Sequence, residues 1–503
     1  MTEVEDISLA RRPFRGLIQS VLVIAGALMV TGICWCIWAL IAHWRLQAEI
    51  EAITALHEPL LPRDFAVAPV PDDRNAALLW RNVFAALPAN DDSPSNSNLS
   101  YSDYPPYPPQ WHQKEDKSII VNAKLLDLAH IAASANDADW GEASRSPHGS
   151  ASFLMPARAT ANVLGDAMVH AHVHGNDALA IERACDLIHL GKAEGEAGPI
   201  IARLVSIGIV ALSTHRLVEI TPDLVIGSEP SIQDIEIAGG VPRERVQALI
   251  RLLLEETNER KLRVTSVDFE RMAYYTVLTD EKKFRWTLRP LIELSEVRMF
   301  EQRKVDRLAA GALSEADAIN AYKSHPEASM IPRTISLGSL AAPATSVDWA
   351  DACDEVWMET CFRPIETEWK GIANRRTAAV ALAIRLYRHD HNDAWPKGLA
   401  DLVPAYLPSI PSDPFQPGQT PIGYVIRKNA LPDGSDRPLL YFNLSGDPKT
   451  VVIPPTPCFD WTWSRGADGP QWRDLSRWYP AVAPNTSSPG QGPMGSTPQT
   501  GNH

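Results

Sequence analysis

The sequence predicts a mainly α-helical membrane protein, with one N-terminal transmembrane helix, stacked helical hairpins outside the membrane and a small C-terminal α+β unit. Residues 16–42 are a run of 27 residues without Asp, Glu, Lys or Arg. Across residues 118–366, apolar residues recur mostly at the spacing of amphipathic helices. Residues 422–426 and 439–444 alternate between apolar and polar positions, as short strands do.

The apolar run of residues 16–42 is predicted to span the lipid bilayer, because a helix crosses the hydrocarbon core with about 20 residues. Trp35, Trp38 and Trp44 lie towards its C-terminal end, where indole rings favour the membrane interface. A cleaved signal peptide is the main alternative. Its apolar region would have roughly 7–15 residues and would be followed by small residues at the cleavage site. This run is longer, and bulky side chains stand where the cleavage site would be.

The charges that flank the run predict its orientation. Arg11, Arg12 and Arg15 precede it, whereas Arg45 alone closely follows it. The side with more Lys and Arg is normally cytoplasmic. We therefore expect residues 1–15 to form a cytoplasmic tip and the large domain to lie outside the cytoplasm, anchored in the cell membrane by a single pass.

Composition excludes some partners and leaves the cysteines open. The formal net charge of −14 and a pI near 5.5 argue against a nucleic-acid partner. Disulfides persist outside the cytoplasm, but four buried thiols explain the outer cysteines equally well. Their pairing stays open for Cys185, Cys353, Cys361 and Cys458, whereas Cys34 and Cys36 lie in the membrane run.

The rest of the chain is predicted to divide into five segments. These are a helical stalk and Pro-rich loop (43–117), an α-helical outer domain (118–366), an α+β cassette (367–450), a Trp-rich segment (451–480) and a disordered tail (481–503) rich in Pro, Gly, Ser and Thr. In the stalk, residues 44–57 and 72–87 are predicted as helices and 88–117 as a loop.

The outer domain and the start of the cassette are predicted as a series of helices. Gly175 and Asn176 mark a helix stop and restart between two of them, so these two should form an antiparallel hairpin. The predicted helices cover residues 118–134, 156–173, 177–190, 199–220, 241–258, 289–309, 314–323, 347–362 and 367–391.

The most distinctive soluble stretch, residues 378–447, carries a chain of short motifs. They are Tyr387, Trp395-Pro396, the Leu-rich residues 399–407, Pro411 to Phe415, Tyr424 and residues 441–447. This order resembles the C-terminal half of type II secretion major pseudopilins. It is also similar to the end of uncharacterised single-pass membrane proteins of planctomycete-type bacteria. The resemblance implies a small α+β cassette over residues 367–450.

The resemblance does not extend to the anchor or the calcium loop. Prepilins have Glu at the fifth position after the processed glycine, whereas Val21 stands five residues after Gly16. Pseudopilins bind calcium in a C-terminal acidic loop. Here Asp447 is followed by Pro448 and Lys449, which leaves too few clustered oxygens for a hard cation. No cofactor is therefore predicted.

A His-rich stretch supplies the best metal-ligating candidates. Asp166, His170 and His174 are spaced by four residues and share one face of a predicted helix, whereas His172 points away. Two His at i and i+4 can chelate zinc. The alternative is a solvated helix end before Gly175, because no further ligand is fixed by spacing.

Two other clusters have a structural alternative. The polar run of residues 389–393 has ligand types, but helix capping and solvation explain it more simply. Trp461, Trp463, Trp472 and Trp478 could stack on sugars or peptides, or could bury to form a core.

No catalytic motif is present in the sequence: there is no Gly-x-Ser-x-Gly, no phosphate-binding Gly-x-x-x-x-Gly-Lys and no paired carboxylates that stand out. We therefore expect a non-enzymatic envelope scaffold or interaction protein that is held in the lipid bilayer through residues 16–42 and binds an envelope protein. An extracytoplasmic hydrolase, with or without a metal ion, is the first alternative. A component of a secretion or pseudopilin assembly is the weaker one.

Overall fold

The computed structural model describes residues 6–65, 70–88, 109–141, 152–227, 240–284, 289–324, 346–427, 437–442, 460–462 and 471–473. These residues form mainly α-helices, as the sequence predicts. The helices are α1 (Asp6–Ala55), α2 (Ala76–Ala85), α3 (Pro109–Val121), α4 (Ala123–Ala133), α5 (Leu154–Val173), α6 (Asp177–Gly195), α7 (Ile200–Ile220), α8 (Arg243–Leu254), α9 (Glu259–Phe284), α10 (Arg289–Ala310), α11 (Glu315–Lys323) and α12 (Ser346–Asp390).

The N-terminal helix α1 is long and apolar enough to cross a membrane. Most of its large apolar side chains between Val21 and Ile41 are exposed, so the part of the chain that the structure describes does not cover them. The stretch Ile200–Asp223 is also long and apolar enough to cross a membrane, but half of its most apolar part is buried inside the protein. We interpret that second stretch as a core helix.

The C-terminal part of α1 belongs to the folded domain. Leu46 and Ile53, on one face of α1, are buried in a cluster with Val297, Met299 and Phe300 of α10. Residues 44–55 therefore form most of the polar helix that the sequence predicts over residues 44–57, and this helix continues the apolar run without a break. It packs on the domain and is not a free stalk.

The main core surrounds the last turns of α12. Residues 378–384 and Leu386 are all fully buried, which is the pattern of a helix packed on every side. The sequence predicts two helices here, residues 347–362 and 367–391. The break between them is wrong, because α12 is continuous from Ser346 to Asp390. Pro364 lies inside this helix. An interior proline loses one backbone hydrogen bond and clashes with the preceding turn, at a cost of about 3 kcal/mol, and burial of the turns that follow offsets that cost.

The predicted hairpin around Gly175 is confirmed. Gly175 has φ +79°, the left-handed conformation that ends α5. The side chain of Asn176 then accepts a hydrogen bond from the backbone N–H of Leu179 at 3.0 Å and caps α6. The hairpin packs on α7 and α4 and forms a second core with α2.

Other helices also differ from the prediction. The predicted loop 88–117 is wrong at its end, because α3 begins at Pro109. The first position of a helix tolerates proline, since its N–H has no helical partner. Helix α9 was not predicted. Its buried face carries charged residues such as Arg263, Asp268 and Arg271, which hide the apolar periodicity that marks a helix.

The C-terminal region contains two antiparallel strand pairs. Strands β1 (Gly423–Arg427) and β2 (Arg437–Tyr441) pair with Gly423 opposite Tyr441, so the two predicted strands are confirmed. Strands β3 (Asp460–Thr462) and β4 (Gln471–Arg473) place Trp461 opposite Trp472.

Several predictions fall on residues that the structure does not describe. These are residues 443–450 with the acidic-loop positions, Trp463, Trp478, the tail 481–503 and the side chains of Cys353, Cys361 and Cys458. Among the described side chains, Cys34, Cys36 and Cys185 are free thiols.

Candidate functional site

The candidate site lies between α3 and α5, where each helix contributes a pair of residues spaced by four. His112 and Asp116 lie one turn apart on α3, and His170 and His174 lie one turn apart on α5. Residues at this spacing share one face of a helix. The packing of α3 on α5, through the cluster of Trp111, Val169 and Val173, brings the two polar faces together.

Asp116 is the centre of the site. Its Oδ1 atom accepts a hydrogen bond from Nε2 of His170 at 2.8 Å and lies 3.8 Å from Nε2 of His174. The ring centroids of His170 and His174 are 4.1 Å apart, and those of His112 and His174 are 6.0 Å apart. Three imidazoles and one carboxylate therefore form a compact group at the protein surface.

The backbone fixes the tautomer of His174. Its Nδ1–H donates a hydrogen bond to the carbonyl oxygen of His170 at 2.9 Å, so the neutral ring carries its lone pair on Nε2. That lone pair faces the carboxylate of Asp116. Two acceptor atoms that face each other attract a cation between them. A metal-ligating histidine usually donates its other ring N–H to a backbone carbonyl or a carboxylate, as Nδ1–H of His174 does here.

Electrostatics favour an anionic Asp116 and a neutral His170. The hydrogen bond from His170 lowers the pKa of Asp116. Burial lowers the pKa of His170, and the neighbouring His174 and His112 lower it further, whereas Asp116 opposes this shift. A neutral imidazole beside a carboxylate is the state that binds a metal ion.

The three ligand candidates that the sequence predicts do not all lie together in the structure. His170 and His174 lie together, whereas Asp166 is directed to Arg216, whose Nη2 is 3.3 Å from its Oδ1. Asp116 of α3 occupies the third position instead. His172 points away, as expected, and its Nδ1 lies 2.6 Å from Asp177 in the interior.

A second acidic residue lies behind the site. Glu115, next to Asp116 on α3, is buried. Burial raises its pKa to about 7, the nearby Asp166 adds to this, and Lys114 and Arg216 oppose it. Lys114 lies 3.8 Å from the Glu115 carboxylate. Glu115 therefore changes charge near neutral pH, although no motif in the sequence marks it.

Another group of possible ligands consists of His130, Glu182 and Asp186. Nδ1 of His130 lies 3.4 Å from Glu182 and 3.3 Å from Asp186. Both carboxylates also have arginine partners: Asp186 pairs with Arg183 at 2.9 Å and Glu182 with Arg245 at 3.8 Å. These positive charges oppose a cation, so this group is the weaker metal candidate.

The polar run at residues 389–393 ends α12. Asp390 accepts hydrogen bonds from Arg243 and from the hydroxyl of Tyr406, the latter at 2.8 Å. Asn392 and Asp393 have positive φ angles of 49° and 62°, as in a turn that leaves a helix. The geometry therefore agrees with capping and with attachment of the chain that follows.

Comparisons with known proteins give no further guide. No family model matches this chain, no curated protein matches it, and no solved structure matches its fold. The site must therefore be judged from its own geometry.

Sequence reasoning found one half of the site and missed the other. The spacing of His170 and His174 marks one helix face, but nothing in the sequence specifies which helix packs against it. His112 and Asp116 have the same spacing of four residues. The Pro-rich run before these two residues predicts a loop up to residue 117, so their spacing alone does not indicate a helix.

Proposed function

We propose that this protein is a single-pass membrane protein that holds a helical interaction domain at the outer surface of the cell membrane. Its N-terminus lies in the cytoplasm, residues 16–42 lie in the lipid bilayer, and the domain binds an envelope protein without catalysing a reaction. The observation that carries this proposal is the continuity of α1, which runs as one helix from an exposed apolar segment into a packed helical core.

Continuity of the helix supports a fixed orientation of the domain relative to the membrane. A flexible linker would allow the domain to rotate freely, whereas a helix without a break transmits its direction. Ion pairs support the same conclusion, because Arg45 lies 2.6 Å from Glu301 and Nδ1 of His43 lies 3.4 Å from Glu293, immediately after the apolar run.

Buried charge at the junction supports a permanent attachment of α1. Arg303 of α10 is fully buried and contacts Glu49 and Glu58, with 3.5 Å between its Nε and Glu58. Removing α1 would take away Glu49 and leave the buried charge of Arg303 less well compensated, which is costly. The segment after the apolar run is therefore part of the folded domain.

We further propose that residues 367–450 are a pseudopilin-like module with a structural role. Support comes from the order of its elements, which is a long helix ending at Asp390, a short 3₁₀ turn at Leu399–Leu402 and the β1–β2 pair. The hydroxyl of Tyr424 in β1 donates to the carbonyl of Pro396 at 2.9 Å. This bond holds the strand pair against the turn after α12.

Topology can be tested with reporter fusions to the full chain in a bacterial host. Alkaline phosphatase, which is active only outside the cytoplasm, and a fluorescent protein that matures inside it would each be fused to either end. We expect phosphatase activity at the C-terminus and fluorescence at the N-terminus, with the protein resisting carbonate extraction. The opposite pattern, or release by carbonate, would contradict the proposal.

The interaction role needs a separate measurement. We expect crosslinking in intact membranes, followed by purification of the full chain, to yield one reproducible envelope protein in stoichiometric amount. A matched chain with Arg303→Ala, which weakens the junction between α1 and α10, should lose part of that yield. Turnover of cell-wall or peptide substrates by the purified chain would favour the hydrolase instead.

A further inference from the structure

Four side chains on the facing sides of α3 and α5 form a group that none of the roles above uses. Asp116 and His174 are about half exposed, with 53% and 47% of their side-chain surface accessible, and His170 is more buried. The ligand atoms of these three residues all lie within 4.8 Å of one another. Solvent can therefore reach a group whose ligand atoms are already close together.

The distances fit a tetrahedral zinc ion. With ligand bonds of about 2.0–2.1 Å, a tetrahedron places neighbouring ligand atoms about 3.3 Å apart. The distances from Oδ1 of Asp116 to Nε2 of His170 and of His174 are 2.8 and 3.8 Å, one on each side of that value. A small displacement of the Asp116 side chain makes them equal.

The types of ligand select the metal. Two or three imidazoles and one carboxylate suit Zn²⁺ and similar first-row ions, whereas Ca²⁺ and Mg²⁺ require sets of oxygen atoms. The backbone hydrogen bond at Nδ1 of His174 presents its Nε2 atom to the metal. His112, one turn before Asp116 on α3, has its ring centroid 6.0 Å from that of His174. It lies outside the group of three close ligand atoms, so its side chain would have to move to reach a fourth position.

We propose that Asp116, His170 and His174, with His112 as the fourth ligand, bind one Zn²⁺ ion that fastens α3 to α5. In this state the proton that His170 shares with Asp116 is released to solvent and both atoms bind the metal. A closed set of four protein ligands is typical of structural zinc. The role is therefore to stabilise the domain, not to activate a water molecule.

The test is a zinc titration of the full chain, purified in detergent and stripped of metal with a chelator. We expect one Zn²⁺ per chain by calorimetry and elemental analysis, and a zinc-dependent rise in the thermal unfolding midpoint. Excess Ca²⁺ or Mg²⁺ should not compete. Co²⁺ in place of Zn²⁺ should give the intense visible absorption of a tetrahedral site.

Matched variants assign the ion to this site. Asp116→Asn and His174→Ala change exposed side chains, so both chains should fold, and each should weaken zinc binding at least about tenfold. His130→Ala removes the imidazole of the other possible group and should leave the affinity unchanged. Absence of bound zinc in the unmodified chain, or loss of zinc in His130→Ala but not in Asp116→Asn, would overturn the proposal.

Discussion

The guanidinium of Arg303 on α10 donates a hydrogen bond to the carboxylate of Glu49 on α1, about two helical turns beyond the apolar run. Arg303 is fully buried, and it also donates to the backbone carbonyl of Phe300 at 2.6 Å. This pair connects the candidate transmembrane helix to the interior of the folded domain.

Substitution of Arg303 tests how strongly the junction depends on this pair. Arg303→Ala leaves Glu49 without its buried partner, whereas Glu58 keeps Arg271 and Arg307 nearby. We expect the free energy of unfolding to fall by about 3–5 kcal/mol. Denaturant titration in detergent, followed by circular dichroism, measures it. Arg45→Ala on the same interface breaks an exposed pair with Glu301 and should cost only about 0–1 kcal/mol. Equal losses of unfolding free energy in Arg303→Ala and Arg45→Ala would contradict a buried junction between α1 and α10.

Glu194 should make the fold less stable as the pH rises. Both of its carboxylate oxygens are buried without a hydrogen-bond partner, and burial raises its pKa from 4.5 to about 9. Between these values the unfolded chain is deprotonated while the folded chain keeps its proton. Stability therefore falls with rising pH by up to about 1.4 kcal/mol per unit.

Glu194→Gln removes this titration and keeps the shape of the side chain. We expect the variant to be more stable than the unmodified chain at pH 8 and equal to it near pH 4. Urea titrations at both pH values provide the measurement. A variant with the same pH dependence as the unmodified chain would show that Glu194 is not the titrating group.

The close approach of α6 and α7 depends on Gly191. A Cβ atom added there would lie 2.6 Å from Cγ2 of Val210 and 3.2 Å from the carbonyl oxygen of Ser206. Alanine gains up to about 1 kcal/mol of helix propensity, but overpacking costs about 1–3 kcal/mol. We expect Gly191→Ala to lose about 1–2 kcal/mol.

Gly208, on α7, provides the matched control. A Cβ atom added there has no neighbour within 4 Å. Gly208→Ala should therefore stabilise the protein by about 0.5–1 kcal/mol, measured by the same thermal and denaturant unfolding. If both substitutions are stabilising, the two helices are further apart than described.

The ionised carboxylate of Asp390 should stabilise the attachment of the C-terminal cassette at neutral pH. This stabilisation should disappear in acid, when the carboxylate takes up a proton. Partial burial alone would raise its pKa, but hydrogen bonds from Arg243, Tyr406 and His389 lower the pKa from 3.8 to about 2. A carboxylate with a lowered pKa stabilises the fold above its unfolded value, and this contribution disappears as the pH falls from about 3.8 to 2.

Asp390→Asn should remove this contribution at neutral pH, at a cost of about 1–2 kcal/mol after allowance for solvent screening. The variant should also lose the corresponding part of the acid sensitivity between pH 4 and 2, which equilibrium unfolding at several pH values would detect. If Asp390→Asn leaves the free energy of unfolding at pH 7 unchanged, the carboxylate does not hold the cassette.

The sequence predicts the helices with regular apolar faces and fails where polar residues face inward. The hairpin at Gly175 follows from a left-handed glycine and an Asn cap, which are local signals. Helix α9 is not predictable in the same way, because Arg263 and Arg271 are buried and the backbone partners of Arg263 lie far along the chain. Arg263 donates to the carbonyl of Ala310 at 2.8 Å.

The candidate site shows the same limit. The spacing of His170 and His174 is visible in the sequence, but the identity of the third ligand depends on which helix packs against α5. Asp166 satisfied the spacing and yet pairs with Arg216, whereas Asp116 comes from another helix. Long-range packing decides between such alternatives, and helical periodicity does not contain that information.

A scan of spin labels along α1 in lipid vesicles tests the central claim most directly. Single cysteines at residues 21–53 would be introduced into an otherwise cysteine-free full chain whose helical content is unchanged. We expect labels at Val21, Met29 and Ile37 to be accessible to oxygen dissolved in lipid and not to a water-soluble nickel chelate. Beyond Ala42, labels at Leu46 and Ile53 should be immobile, whereas labels at exposed Gln47 and Glu51 should be mobile and accessible to water. Water access along the apolar run, or equal mobility at all positions beyond Ala42, would contradict a transmembrane helix that continues into the folded domain.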